Sequence, residues 1–155
     1  MEFIYRLFSS LYGDNLHDYL DGYDCAQEDF VHSSMFASIG IVALIIAAVF
    51  FVVYYYLINS SKWNKWWHWI IVALIVGVIN YIIGYEWTSR ELPAIDDCLR
   101  YYVDDYGNIN KNIEVITDVE FWMFGLANCF VSTIFFMILS FAGKWKSTNC
   151  CRTPF

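Results

Sequence analysis

Three stretches of this chain carry no acidic or basic side chain: Met35–Ile58, Trp67–Tyr85 and Phe121–Gly143, of 24, 19 and 23 residues. At about 1.5 Å rise per residue they extend roughly 28–36 Å as helices, matching a hydrocarbon core of about 30 Å. A core helix of a water-soluble protein is shorter and keeps a polar face. Charged residues make up 16% of the 155-residue chain, against roughly 25% in a soluble domain. The runs therefore predict an all-α membrane protein with three transmembrane helices at about 35–58, 67–85 and 119–143. The first run starts at residue 35, is too long for the apolar core of a signal peptide and has no basic segment before it, so it reads as a retained span.

The charges outside the runs are partitioned. All sixteen acids lie in segment 1–34 and in the loop between the second and third runs, with Arg6, Arg90, Arg100 and Lys111. The link 59–66 and the tail 144–155 hold no acid and carry Lys62, Lys65, Lys144, Lys146 and Arg152. Lys and Arg are enriched in cytoplasmic segments close to the membrane, so these five residues are expected as cytoplasmic anchors. The N-terminus and the 86–118 loop then face outward, N-out/C-in, as three crossings require. Localisation follows as the plasma membrane, or the inner membrane in a bacterium. Interfacial aromatic rings support the frame: Trp63, Trp66, Trp67, Trp69 and Trp145 at the inner boundary, Tyr85, Trp87 and Trp122 at the outer one.

The chain divides into an outer amphipathic and acidic segment (1–34), a transmembrane hairpin (35–85), an acidic outer loop (86–118), a third transmembrane helix (119–143) and a basic cytoplasmic tail (144–155). Phe3, Ile4, Leu7, Phe8 and Leu11 recur at helical spacing ahead of Gly13, predicting an amphipathic helix that lies in the outer leaflet or packs on a partner. Asp21-Gly22 marks a turn. In the loop, Pro93 suits a helix start, Ile95, Cys98, Leu99 and Tyr102 share one helical face, and Gly107 with Asn108, Asn110 and Asn112 suits a stop and turn. The expected result is a small helical outer cap. Thr117 and Glu120 stand three apart, as N-cap and N3 of a capping box opening the third span.

Cys25 and Cys98 fall in the two outer segments, and an oxidising exterior permits one disulfide between them; two free thiols are the alternative. Cys150 and Cys151 adjoin the third span on the inner side and read as reduced thiols, with palmitoylation as the alternative. Cys129 reads as a small packing residue. The Asn59-Ser60-Ser61 sequon falls on the cytoplasmic side, where it is silent.

Without charge or proline inside the spans, proton relays and transporter-type broken helices are disfavoured. The polar residues left are neutral. Asn80 and Asn128 lie roughly 8 and 11 Å below the outer end of their helices. That depth suits an interhelical hydrogen bond; with Ser132 and Thr133 they could instead line a pore. Gly77 and Gly84 with Ala73, Gly125 with Asn128 and Ser132, and Gly40 with Ala43 and Ala47 make three small-residue faces that permit close helix packing. Three such faces suggest self-association or a membrane partner. The outer acids do not follow EF-hand spacing and read as a solvated face, or as a funnel above a pore. No catalytic motif, metal-ligand spacing, cofactor site or nucleic-acid signal is found. The expected partners are the lipid bilayer, further copies of the chain or other membrane subunits. The expected role is non-enzymatic: a structural, anchoring or assembly subunit of a membrane complex or homo-oligomer. The alternative is an oligomeric pore, ion channel or membrane-disrupting effector with an acidic outer vestibule.

Overall fold

A computed structural model describes residues 2–58, 66–104 and 107–143. Helices dominate, and three are long and apolar enough to cross a membrane: Met35–Leu57, Trp66–Ala94 and Asp118–Gly143. The elements in chain order are α1 (Glu2–Arg6), α2 (Ser9–Tyr12), α3 (Asp14–Asp21), β1 (Tyr23–Asp24), β2 (Asp29–Phe30), α4 (Met35–Val52), α5 (Trp66–Glu91), α6 (Asp97–Arg100), β3 (Tyr101–Val103), β4 (Ile109–Glu114) and α7 (Asp118–Gly143). The anchors Lys62, Lys65, Lys144, Lys146 and Arg152, the sequon, Cys150 and Cys151 lie outside the described residues.

The spans form around the three uncharged runs, which put apolar residues on every side of each helix. Helix α4 has a mean hydropathy of 2.9 and ends in a π-turn, Val53–Leu57. A widened turn lets neighbouring side chains point inward together. Tyr54 and Tyr55 are both buried there, edge to face at 5.0 Å. Helix α5 runs six residues beyond Tyr85, the expected end of the second span, to Glu91. Its last turns are held as a water-facing helix would be: Arg90 pairs with Glu86 one turn back at 3.2 Å, and the Thr88 hydroxyl donates to the Gly84 carbonyl at 2.9 Å.

Helix α7 is the centre of the bundle. Phe121, Phe124, Ala127, Val131 and Phe136 are fully buried, and α7 packs on both α4 and α5. The outward faces stay apolar, with Ile45 and Val49 on α4, Leu74 and Val78 on α5, and Phe130 and Ile138 on α7 exposed. A ring of exposed aliphatic and aromatic residues around a bundle suits lipid rather than water.

The cap formed by residues 14–34 and 92–117 differs from the expected helical one. It combines α3 and α6 with two antiparallel pairs, β1–β2 and β3–β4. The helix expected after Pro93 is only α6, four residues long, so Ile95 and Leu99 are buried as read but Tyr102 is exposed on β3. Tyr101–Val103 is aromatic and β-branched, and it pairs with the asparagine-rich stretch expected as a turn, which is strand β4. Gly107 lies in the connection with φ +81°, beside an Asp104 carboxylate that accepts from the Asn108 backbone N–H at 2.8 Å. Arg100–Glu114, at 3.1 Å, and Lys111–Asp97 tie the hairpin to α6.

The Asp21-Gly22 turn forms as read: Gly22 caps α3 at φ +93°, where a Cβ would run into the His32 carbonyl. Cys25 and Cys98 form a disulfide, with Cα atoms 6.5 Å apart. It fastens the β1–β2 turn to α6, beside a hydrogen bond from Asn15 Nδ2 to the Leu99 carbonyl at 3.2 Å. At the head of α7, Glu120 Oε2 accepts from the Thr117 backbone N–H at 2.8 Å and from its hydroxyl at 2.5 Å, the Glu120 half of the expected capping box, while Thr117 Oγ1 accepts from the Val119 N–H at 3.4 Å rather than from that of Glu120.

Candidate functional site

Two helices and the N-terminal segment meet through polar groups at one seam, centred on Asn128 of α7. Asn128 is fully buried. Its Nδ2 donates to the backbone carbonyl of Asn80 on α5 at 2.7 Å. Its Oδ1 accepts from the Tyr5 hydroxyl at 2.6 Å. The expected link between the two asparagines therefore exists, but it runs from side chain to backbone. Asn80 turns its own Nδ2 back to the Val76 carbonyl one turn earlier, at 2.9 Å. Asn80 Oδ1 has no hydrogen-bond partner among the described residues.

Such pairing inside lipid requires the backbones to approach, and glycine permits it. A Cβ on Gly84 would stand 3.1 Å from the Asn128 Cβ, and one on Gly125 only 2.9 Å from the Tyr81 carbonyl. A Cβ on Gly77 would meet Cys129 Sγ at 2.8 Å. These three glycines thus let α5 and α7 meet along most of their length. Gly40, Ala43 and Ala47 are buried on α4. Gly84, Gly125 and the α4 face are buried within the protomer, while Ala73 and Gly77 also border a groove between α5 and α7.

Ser132 and Thr133, grouped in the sequence with the two asparagines, keep their hydroxyls on α7. Both donate to the Cys129 carbonyl, at 2.9 and 2.8 Å. Ser132 is fully buried; Thr133 reaches, with Gly77 and Cys129, a shallow apolar groove between α5 and α7. Near the opposite end of the helix pair, Trp69 Nε1 donates to Ser140 Oγ at 3.2 Å.

Residues 3–12 form two short helices, α1 and α2, where one amphipathic helix was expected, and Ile4 and Phe8 of its apolar stripe pack partly on the core. Tyr5 and Tyr12 are fully buried, whereas Phe3, Leu7 and Leu11 are exposed. The Tyr5 ring stacks on Phe36 and on Phe124 at 5.2 and 5.8 Å, the three rings forming a triangle. The Tyr12 hydroxyl donates to the Tyr5 carbonyl at 3.1 Å and lies 3.0 Å from His17 Nδ1. The sequence signal for this was the chemistry of tyrosine: a large ring whose hydroxyl can meet a buried asparagine. Counting apolar residues alone set Tyr5 and Tyr12 aside.

Above the seam, the Tyr19 hydroxyl meets Glu91 Oε2 at 3.5 Å; burial, with the Glu91 carboxylate beside it, pushes Tyr19 up to about 12 and keeps it a neutral donor. Burial also raises Asp18, helped by Asp14 and Asp21 against the opposing pull of His17. Among the described residues no group of three or more His, Cys, Asp or Glu is arranged to hold a metal ion. The chain matches no family model, curated protein or solved structure.

Proposed function

We propose that this chain is a non-enzymatic subunit of a membrane complex, with a structural, anchoring or assembly role, in the plasma membrane or the inner membrane of a bacterium. The carrying observation is the Asn128 seam. Asn128 bonds to Tyr5 and to the Asn80 carbonyl, and Ser132 and Thr133 bond to their own helix. Those groups hold the protomer together, leaving the chain to act through its surfaces. The orientation that suits the charges puts the N-terminus and the 86–118 loop outside, where an oxidising compartment would maintain Cys25–Cys98. The outer surface includes strand β4, exposed at every residue, with Ile109 and Ile113 among its side chains. A two-stranded sheet with such an edge can accept a strand from a partner.

The test is the composition of the particle extracted from native membranes in a mild detergent and weighed intact. A fixed stoichiometry, above the 18.2 kDa of one chain, is expected. A lone protomer, found without any accompanying protein, would overturn the reading.

A further inference from the structure

The bundle contains its own depth scale. At one end, Trp122 of α7 meets Tyr85 and Tyr81 of α5 at 4.8 and 5.8 Å. At the other, Ser140 of α7 holds Trp69, near the stacked pair Trp66 and Trp67. Trp and Tyr favour the headgroup level. From Trp122 to Ser140 is eighteen residues, about 27 Å at 1.5 Å per residue, which is nearly the thickness of a hydrocarbon core.

Against this scale the N-terminal segment descends into the slab. Gly13 stands beside Glu120, above Trp122: a Cβ on it would lie 3.9 Å from the Glu120 side chain. Tyr12 meets Phe124 edge to face at 5.2 Å. The Tyr5 hydroxyl reaches Asn128, and the Phe8 ring stacks on Phe130 at 6.1 Å. Phe130 lies eight residues past Trp122, so Phe8 is about 12 Å below the interfacial aromatics, near mid-slab.

We propose that residues 2–12 are a re-entrant membrane element: a broken helix inserted into the leaflet that adjoins the 86–118 loop, with its Phe3–Leu7–Leu11 stripe against lipid acyl chains. The stripe is 75%, 67% and 42% exposed at those three residues, and Leu7 adjoins Phe8, the residue that reaches near mid-slab. It continues the lipid-facing row of α7 through the Phe8–Phe130 contact. The inward turn of Tyr5 and Tyr12 then has a reason. In lipid the apolar side of a helix turns outward, and the side with hydrogen-bonding groups turns to the protein.

A helix break in lipid is tolerated only where protein satisfies the freed backbone groups. Here the Tyr5 carbonyl accepts from the Phe8 N–H at 2.9 Å and from the Tyr12 hydroxyl at 3.1 Å. The Leu11 and Gly13 N–H groups donate to the Phe8 and Ser9 carbonyls, both at 2.9 Å. Arg6 is exposed on the same segment; its flexible stem can carry the guanidinium up to the headgroups.

The experiment places a spin label at Leu7→Cys, Leu11→Cys or Asp14→Cys in the full chain, with Cys129, Cys150 and Cys151 changed to alanine, in phosphatidylcholine vesicles. The Leu7 label should collide severalfold more with dissolved oxygen than with a water-soluble nickel chelate. Leu11 should show a smaller excess and Asp14 the reverse. A Leu7 label open to the nickel chelate would overturn the proposal, since the segment would then lie in water. A Leu7 label shielded from both would overturn it too, since protein would then cover the stripe. The unaltered chain provides a second measurement in vesicles carrying an acyl-chain diazirine: adducts are expected on residues 3–11 as well as on Phe130. Labelling of Phe130 without the N-terminal segment would refute the insertion.

Discussion

The hydrogen bond between Tyr5 and Asn128 has a measurable size. Tyr5→Phe removes one bond of 2.6 Å and leaves a buried amide oxygen without a partner; the cost should be about 1–2 kcal/mol. Asn128→Leu removes that bond and the 2.7 Å bond to Asn80, stranding the Tyr5 hydroxyl, while the Asn80 carbonyl keeps its bond within helix α5; about 1–3 kcal/mol is expected. With both changes the two losses share one interaction. The double variant should therefore be more stable than the sum predicts, by about 1 kcal/mol, a value within the range of polar pairs in membranes. Asn80→Leu is the control. Its side chain bonds only to its own helix, and its carbonyl remains available to Asn128; the change should stay within about 1.5 kcal/mol of the parent. The assay is unfolding of the purified chain in mixed micelles with rising dodecyl sulfate fraction, followed by near-ultraviolet dichroism of the packed aromatics. If the two losses add to within about 0.3 kcal/mol, the side chains do not interact and the seam is wrong.

Breaking the 73-residue link between Cys25 and Cys98 with Cys25→Ser should cost about 4 kcal/mol by chain entropy; in intact vesicles both thiols should resist alkylation until a reductant is added, and free labelling of both would contradict the bridge. Gly125→Ala places a Cβ 2.9 Å from the Tyr81 carbonyl, so α5 and α7 must separate, at about 1–3 kcal/mol in the same unfolding assay; an unchanged midpoint would mean the helices are not in contact there. Asp18 has a raised proton affinity in the folded cap, chiefly from burial. Folding then takes up a proton, so stability rises as pH falls through the raised folded value, levels off below the ordinary carboxylate value, and is lowest when Asp18 is ionised. Asp18→Asn should raise the melting temperature at neutral pH and remove that gain on acidification; equal neutral-pH melting of the two proteins would refute the assignment.

How much was legible in the sequence depended on which forces acted alone. The spans were legible because uncharged runs of that length have one stable solvent, and their starts at Met35 and Asp118 agree with the runs to within a few residues. The far end of α5 was not, because past Tyr85 the helix continues on ordinary pairs such as Glu86–Arg90 that carry no apolar signal. Cys25–Cys98 followed from sorting cysteines by compartment, and the Thr117–Glu120 contact from local spacing. The β3–β4 pair was hidden because it is decided by partners six or more residues apart: Asn110 looks like a turn former until Tyr102 lies opposite it, and Asn112 falls in the register shift between the Tyr101–Glu114 and Tyr102–Asn110 pairs. The amphipathic period of residues 3–11 was legible, but the helix break after Arg6 and the inward turn of Tyr5 and Tyr12 were not, since both depend on partners on α4 and α7. Within the seam, the shared depth of Asn80 and Asn128 was readable, but Tyr5 as third member was not, since it arrives from 123 residues away.

The central claim is that the polar residues inside this bundle pack the protomer and do not conduct. A planar bilayer holding the purified chain at high density tests it most directly. Electrical silence is predicted, for the parent protein and for Asn128→Leu alike. Cation-selective unitary currents that Asn128→Leu abolishes would contradict it, and would make Asn80, Asn128, Ser132 and Thr133 the lining of a pore.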